Sequence, residues 1–176
     1  YVGALIVKDG KIIGEGFHAK AGTAHAEVAA IQNAKNNNES TIGATIYVSL
    51  EPCCHHGKTG PCTEAILNAG ITKVVYATQD PNPFVAGKGE QFLIGNGIET
   101  ICADLESARQ INKIFFHNQI KNTPFVTLKA AMSLDGKIAS KSGDSKWITG
   151  ADARLKGHQL RAQHAAIIIG TKTSLN

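Results

Sequence analysis

His25-Ala26-Glu27 and the later run Glu51-Pro52-Cys53-Cys54-His55-His56-Gly57-Lys58-Thr59-Gly60-Pro61-Cys62 offer one imidazole, two thiols and a carboxylate at a spacing that can do chemistry. A catalytic zinc ion takes three protein ligands and keeps a fourth position for water, and His25, Cys53 and Cys62 supply the three. Glu27 then remains as a base that is not a ligand. Bulk water, with a pKa of about 15.7, is a poor nucleophile near neutrality, and zinc lowers that value to about 7. The set reads as a hydrolytic zinc site.

A histidine and a glutamate two residues apart, followed by a cysteine pair, form the signature of zinc deaminases. Replacing an exocyclic amine by oxygen requires water to attack an sp² ring carbon, and a carboxylate can carry the proton from that water to the ring nitrogen and the leaving amine. On an ideal helix, residues two apart point roughly 200° away from each other. His25 and Glu27 can therefore serve one centre only at a helix start. Cys62 follows Pro61 at the expected start of another helix, where backbone N–H dipoles favour a thiolate, and Cys53 ends a strand.

Taken singly, each residue has a plainer reading: a surface or core histidine, a solvated glutamate, a small buried thiol. A structural zinc site would call for a fourth Cys or His and has no use for Glu27. Cys54 is the available fourth residue, but neighbours at a strand end point to opposite sides, which assigns it to packing.

The elements that must position these groups follow from the pattern. Residues 1–7 and 12–16 are extended on either side of the Asp9-Gly10 turn, a β-hairpin. Helical spacing begins at His25 and stops at Asn36-Asn37-Asn38; residues 44–50 form a β-branched strand that ends at Glu51-Pro52. Residues 63–68 read as a helix closed by Gly70, and 73–78 as a buried strand leading into Asp80-Pro81-Asn82-Pro83. That strand–helix–strand spacing implies a parallel pair with a right-handed crossover. A short helix at 89–94, a strand at 98–102 and one long amphipathic helix at 105–120 complete an α/β sheet flanked by helices. The pattern breaks at Lys121-Asn122-Thr123-Pro124, dividing the chain into domains 1–122 and 123–176. In the second, strands are expected at 125–130, 137–139 and 165–170 and a helix at 152–163. So short a unit is below the size at which a doubly wound sheet stands alone.

The formal charge of +4 is modest and its Lys and Arg residues are scattered, which argues against a nucleic-acid-binding surface and suits a small anionic substrate. Four cysteines in no regular ladder fit a metal site in a reducing compartment, the cytoplasm, better than a disulfide framework. No apolar run approaches the roughly 20 residues of a membrane helix. The absence of an initiator Met and the stop at Asn176 just after a strand-like run suggest a chain cut at both ends.

Tyr1-Val2-Gly3-Ala4, His25-Ala26-Glu27, the Cys53 to Cys62 segment and Asp80-Pro81-Asn82-Pro83 together resemble the bifunctional riboflavin-biosynthesis deaminase/reductase family. Lys129-Ala130-Ala131-Met132-Ser133-Leu134-Asp135-Gly136-Lys137 and Ser145-Lys146-Trp147-Ile148-Thr149-Gly150 resemble the opening of its reductase domain. Eight residues separate the two cysteines, unlike the pair two apart that is usual in nucleoside and tRNA deaminases. Cytosine, guanine and tRNA-adenosine deaminases are the alternative within the same chemistry, and a nucleic-acid module with structural zinc is the alternative outside it.

The resemblance implies a cytidine-deaminase-like three-layer α/β/α domain with a mixed sheet, followed by the start of a dihydrofolate-reductase-like α/β domain. It also implies Zn²⁺ on His25, Cys53 and Cys62, Glu27 as proton shuttle, and a phosphorylated diaminopyrimidinone substrate met by His18, His55, Lys58, Asp80 and Asn82. For the second domain it implies NADPH beside Ala131, Trp147 and Thr173, with substrate beside Ser145 and Arg161, and a homo-oligomer. The family's helix and Pro-Asn-Pro stretch ahead of Tyr1 are absent and its reductase domain is incomplete here, so deamination and not reduction is expected of this chain.

Overall fold

The computed structural model describes residues 1–57, 59–83 and 85–175, and the chain divides into two compact units, Tyr1–Phe125 and Val126–Asn176. The first unit is built on a five-stranded mixed sheet, β1 (Gly3–Lys8), β2 (Lys11–Phe17), β3 (Thr45–Val48), β4 (Lys73–Tyr76) and β5 (Glu99–Cys102), in the order β2-β1-β3-β4-β5. β1 runs antiparallel to both β2 and β3, whereas β3–β4 and β4–β5 are parallel. The Asp9-Gly10 turn joins β1 to β2, with both residues at positive φ, as a two-residue hairpin loop requires.

Helices α1 (Ala26–Asn36), α2 (Cys62–Asn68) and α3 (Lys88–Gly95) form the connections and pack side by side on one face of the sheet. Alternation sorts the strand residues. Ala4, Ile6, Ile46, Val48, Val74 and Tyr76 point into the core against Ala26, Ala30, Ala34, Ile66 and Leu93. The opposite face carries a row paired strand to strand, Leu5–Tyr47–Val75–Ile101, in which Leu5, Tyr47 and Ile101 are exposed.

Where one long helix is expected at 105–120, there are two, α4 (Glu106–Ile111) and α5 (Lys113–Lys121). The break falls at Asn112, which is buried, and whose amide accepts a hydrogen bond from the Tyr1 nitrogen and donates one to the Tyr1 carbonyl at 2.7 Å. A side chain committed to another segment's main chain overrides the helical periodicity there. Unit 1 also runs past the boundary expected at residue 122, because Phe125 stays with α5, its ring 5.3 Å from that of His117 and under the Lys113 ammonium.

In Val126–Asn176 the expected helix is present as α6 (Ala151–Ala162), and α7 (Thr171–Leu175) ends the unit. The strands expected at 125–130, 137–139 and 165–170 are not formed: among the described residues these segments have no ladder partner. A strand is stable only when its N–H and C=O groups are paired and its apolar face is covered. Val126, Leu128 and Ile168 are instead almost fully exposed. The apolar alternation that suggested strands is real, but within this unit it has nothing to pack against.

Candidate metal centre

β2 delivers the chain to α1, and α1 begins immediately after His25, which holds the N-cap position with extended backbone (φ −71°, ψ 163°). Only from there can its ring turn back toward the site while Glu27, in the first helical turn, faces the same space. Cys53 does not end a strand as expected: β3 stops at Val48, and Cys53 lies in the loop that follows, two residues after Glu51, while Cys62 is the first residue of α2, with Pro61 as its N-cap. The loop between them is closed at its base by Thr63 N–H donating to the Cys53 carbonyl at 3.1 Å.

These elements bring the three expected ligands together. The His25 Nδ1 lies 3.2 Å from Cys62 Sγ and 3.5 Å from Cys53 Sγ, and the three donor atoms all fall within 4.8 Å of one another. Two sulfurs and one nitrogen bound tetrahedrally at zinc's usual bond lengths stand about 3.6 Å apart, so the spacing fits that ion. Cys62 N–H also points at Cys53 Sγ, 3.5 Å away. The thiols share a proton unequally: the hydrogen bond from Cys62 lowers the Cys53 thiol to about 5, while that same bond and burial push the Cys62 thiol up. A pair poised to carry one negative charge before any cation arrives suits a metal that binds thiolate.

Glu27 is 3% exposed, and burial pushes its carboxyl up to about 7, against the opposing effects of a backbone hydrogen bond and the His25 ring. It interacts with the Cys62 thiol. A carboxyl balanced near neutrality beside an open ligand position can both take and return a proton.

Around this centre, His18 stacks edge-on to His25 with ring centroids 5.1 Å apart, its Nδ1–H donating to the Ala24 carbonyl at 3.1 Å. Asp80 is buried; desolvation raises its carboxyl, and Oδ1 accepts the Asn82 N–H at 2.8 Å. His55 is exposed and close enough for its charge to act on Asp80. Lys58 lies outside the described residues. Cys54 is half-buried and stands apart from the three-residue cluster.

The five positions singled out in the second unit are not assembled in the same way. Ser145, Trp147, Arg161 and Thr173 are exposed and Ala131 is half-buried, and among the described residues they make no hydrogen bond or ring contact with one another. Trp147 is covered by the Arg154 guanidinium, 4.4 Å from the ring centroid, and Arg161 faces His158 Nδ1 at 3.4 Å.

Glu51 was not singled out by the sequence, yet it ties the site together. At 3% exposure its carboxylate accepts N–H groups from Asp80 and Gly87 on Oε2, at 3.3 and 3.0 Å, and from Gly89 and Glu90 on Oε1, at 3.1 and 3.3 Å. It thereby links the loop that carries Cys53 to the Asp80 loop and to the start of α3. The available signal was a carboxylate at an otherwise apolar strand exit, set against two glycines bracketing a helix start.

Residues 1–78 match the family described as the cytidine and deoxycytidylate deaminase zinc-binding region, and residues 124–176 match the RibD C-terminal domain. The riboflavin biosynthesis protein RibD of Aquifex aeolicus is 49% identical over 175 residues, which take in 98% of this chain and 48% of that protein. RibD of Escherichia coli is 47% identical over 175 residues, 99% of this chain and 47% of that protein. The crystal structure of a diaminohydroxyphosphoribosylaminopyrimidine deaminase/5-amino-6-(5-phosphoribosylamino)uracil reductase from Thermotoga maritima superposes with a TM-score of 0.93 at 48% identity, over 99% of this chain and 50% of that one. The Rib2 deaminase of Aspergillus oryzae, 23% identical with a TM-score of 0.56 over 69% of this chain and 83% of that one, shares the fold. The chain spans about half the length of the curated relatives it matches.

Proposed function

Since the chain belongs to the RibD family of riboflavin-biosynthesis proteins, we propose that its first unit is a zinc-dependent hydrolytic deaminase acting on a diaminopyrimidinone that bears a ribosylamino 5′-phosphate. The observation that carries this reading is the gathering of His25 Nδ1, Cys53 Sγ and Cys62 Sγ within 4.8 Å beside the buried Glu27. Those three residues would hold the zinc, which supplies Lewis acidity and lowers the pKa of water.

The rest of the chemistry belongs to side chains. Glu27 accepts the proton of the attacking water and returns it to the ring nitrogen and then to the leaving amine, a task suited to a carboxyl balanced near 7. Asp80, held toward its protonated form, and Asn82 meet the polar edge of the pyrimidine. His18 and His55 border it, and Lys58 pairs with the sugar phosphate. Glu51 fixes the loop that carries Asp80 relative to Cys53.

The unit Val126–Asn176 is assigned as the opening of an NADPH-dependent reductase domain, supported by the match over residues 124–176. In that assignment Ala131, Trp147 and Thr173 serve NADPH, Ser145 and Arg161 serve the substrate, and reduction of the ribosyl to a ribityl chain is a property of the longer protein. Four free cysteines support a cytoplasmic location, and among the described residues no helix is long and apolar enough to cross a membrane. The exposed row of Leu5, Tyr47 and Ile101 supports assembly of copies into a homo-oligomer.

Metal analysis of the purified chain, run with an ammonia-release assay, tests the reading. One zinc per chain, lost in His25→Ala, and ammonia released from the phosphorylated pyrimidine but not from cytosine or guanine is the expected result. Release from a free base alone would move the protein to another branch of zinc deaminases.

A further inference from the structure

His25 presents Nδ1 to the two sulfurs, and its other ring nitrogen is not left to solvent: Nε2 lies 3.3 Å from the Thr59 hydroxyl oxygen. A neutral imidazole carries one N–H, and the nitrogen that offers a lone pair to a metal must be the other one. The hydrogen therefore has to sit on Nε2, and a ring with nothing to receive it there is free to adopt the opposite tautomer, which turns an N–H toward the ligand position.

Thr59 is placed to prevent this. It sits in the loop between the two cysteines, where the Gly57 N–H donates to the Thr59 carbonyl at 3.1 Å. His18, anchored through Ala24, packs against the same ring at 5.1 Å between centroids. The imidazole is thus held at Nδ1 by the sulfurs, at Nε2 by a hydroxyl and on its side by a second ring.

The geometry points to Thr59 as a positioning residue: its hydroxyl accepts the His25 Nε2–H, fixes that tautomer and keeps Nδ1 available to the ion. The inference rests on the zinc reading of the site. Hydrogen-bond partners of metal-bound histidines raise ligand basicity and typically alter metal affinity by about 10- to 100-fold when removed. Because Thr59 is half-buried in a loop outside the hydrophobic core, its replacement tests the ligand without dismantling the fold.

The experiment compares Thr59→Val, which keeps the shape and removes the hydroxyl, with Thr59→Ser, which keeps the hydroxyl. Zinc affinity is measured by competition with a chromophoric chelator on the intact chain, and the His25 tautomer is read from ¹⁵N NMR of the imidazoles. The expected result is a zinc affinity roughly 10- to 100-fold weaker in Thr59→Val, an Nε2–H signal that loses its protection, and recovery of both in Thr59→Ser, with unchanged melting of the metal-free protein. Parental affinity in Thr59→Val overturns the inference, as does a loss that tracks a lower metal-free melting temperature or that Thr59→Ser fails to restore. A parental chain that binds no zinc overturns the metal assignment itself, an outcome seen before either variant is examined.

Discussion

A Cβ placed on Gly16 would lie 2.4 Å from the Ala30 nitrogen, so β2 and α1 meet backbone to backbone just beyond the turn that carries His25 and Glu27. Gly14 repeats the relationship one pleat earlier, 2.5 Å from the Ala30 oxygen. The approach is closer than side chains allow, and it sets how α1 lies on the sheet and where its first turn aims the imidazole and the carboxylate.

Gly16→Ala should therefore be expensive. Overpacking of a core costs about 1–3 kcal/mol when side chains can shift, and here the obstacle is main chain, so a loss of about 3 kcal/mol or more is expected, together with weaker zinc binding as the helix start is displaced. Gly95, at the end of α3 with open space around it, is the comparison: Gly95→Ala should raise stability by about 0.5 kcal/mol through a stiffer unfolded chain. Urea midpoints of the two variants check this. A Gly16→Ala protein as stable as its parent would show that helix and sheet can slide apart.

Much of the site could be read from the chain because its residues are few and their chemistry demands particular neighbours. His25 and Glu27, two apart, make sense only at a helix start, and the structure puts His25 at the N-cap. The Asp9-Gly10 turn and the parallel β3–β4 pair were equally legible, since turn chemistry and strand–helix–strand spacing are local. What the sequence did not disclose depends on partners far along the chain. Asn112 interrupts a helical period because it holds the Tyr1 main chain, and Glu51 looks like a surface carboxylate until its four N–H donors are assembled from residues 80–90. The three unformed strands of the second unit show the same limit from the other side: period-2 alternation marks a capacity for pairing, and pairing needs a neighbour.

Glu27→Gln preserves shape and removes the titratable group. With His25, Cys53 and Cys62 intact, zinc content should stay at the parental level while turnover falls about 10²- to 10⁴-fold, the range of a lost general acid–base. Metal analysis and an ammonia-release assay on the same preparation separate the two effects. Full activity in this variant would assign the proton to another carrier.

Asp80 gives a pH signature. Desolvation raises its folded-state carboxyl above the ordinary 3.8, so the folded chain binds the proton more tightly than the unfolded chain. Stability from this group is then present below the unfolded value and lost as pH rises through the folded one. Asp80→Asn keeps an oxygen to accept the Asn82 N–H and removes the buried charge. Its melting temperature should exceed the parent's at neutral pH, and the gap should close as the solution is acidified below pH ~4. A gap of constant size from neutral to acid pH would deny burial any part in the shift. In the activity assay the same change should raise the KM for the phosphorylated pyrimidine.

Glu51 separates fold from site most sharply. Each buried donor left without a partner costs about 1–3 kcal/mol, and Glu51→Gln turns one accepting oxygen into an N–H₂ facing two N–H groups. A loss of about 3 kcal/mol is expected, with faster amide exchange concentrated at one pair of donors, Asp80 and Gly87 or Gly89 and Glu90 according to which oxygen the amide nitrogen replaces, while the sheet keeps its ladders. Glu51→Ala strands all four donors and empties the space the carboxylate filled, so it should fall further still. The three ligand residues sit in the loop after β3, at the N-cap of α1 and at the start of α2, whereas the Asp80 loop depends on Glu51 directly. Zinc affinity in Glu51→Gln should consequently change less than the KM for substrate, and a variant in which zinc is lost while substrate affinity holds would place the carboxylate's main influence on Cys53 instead.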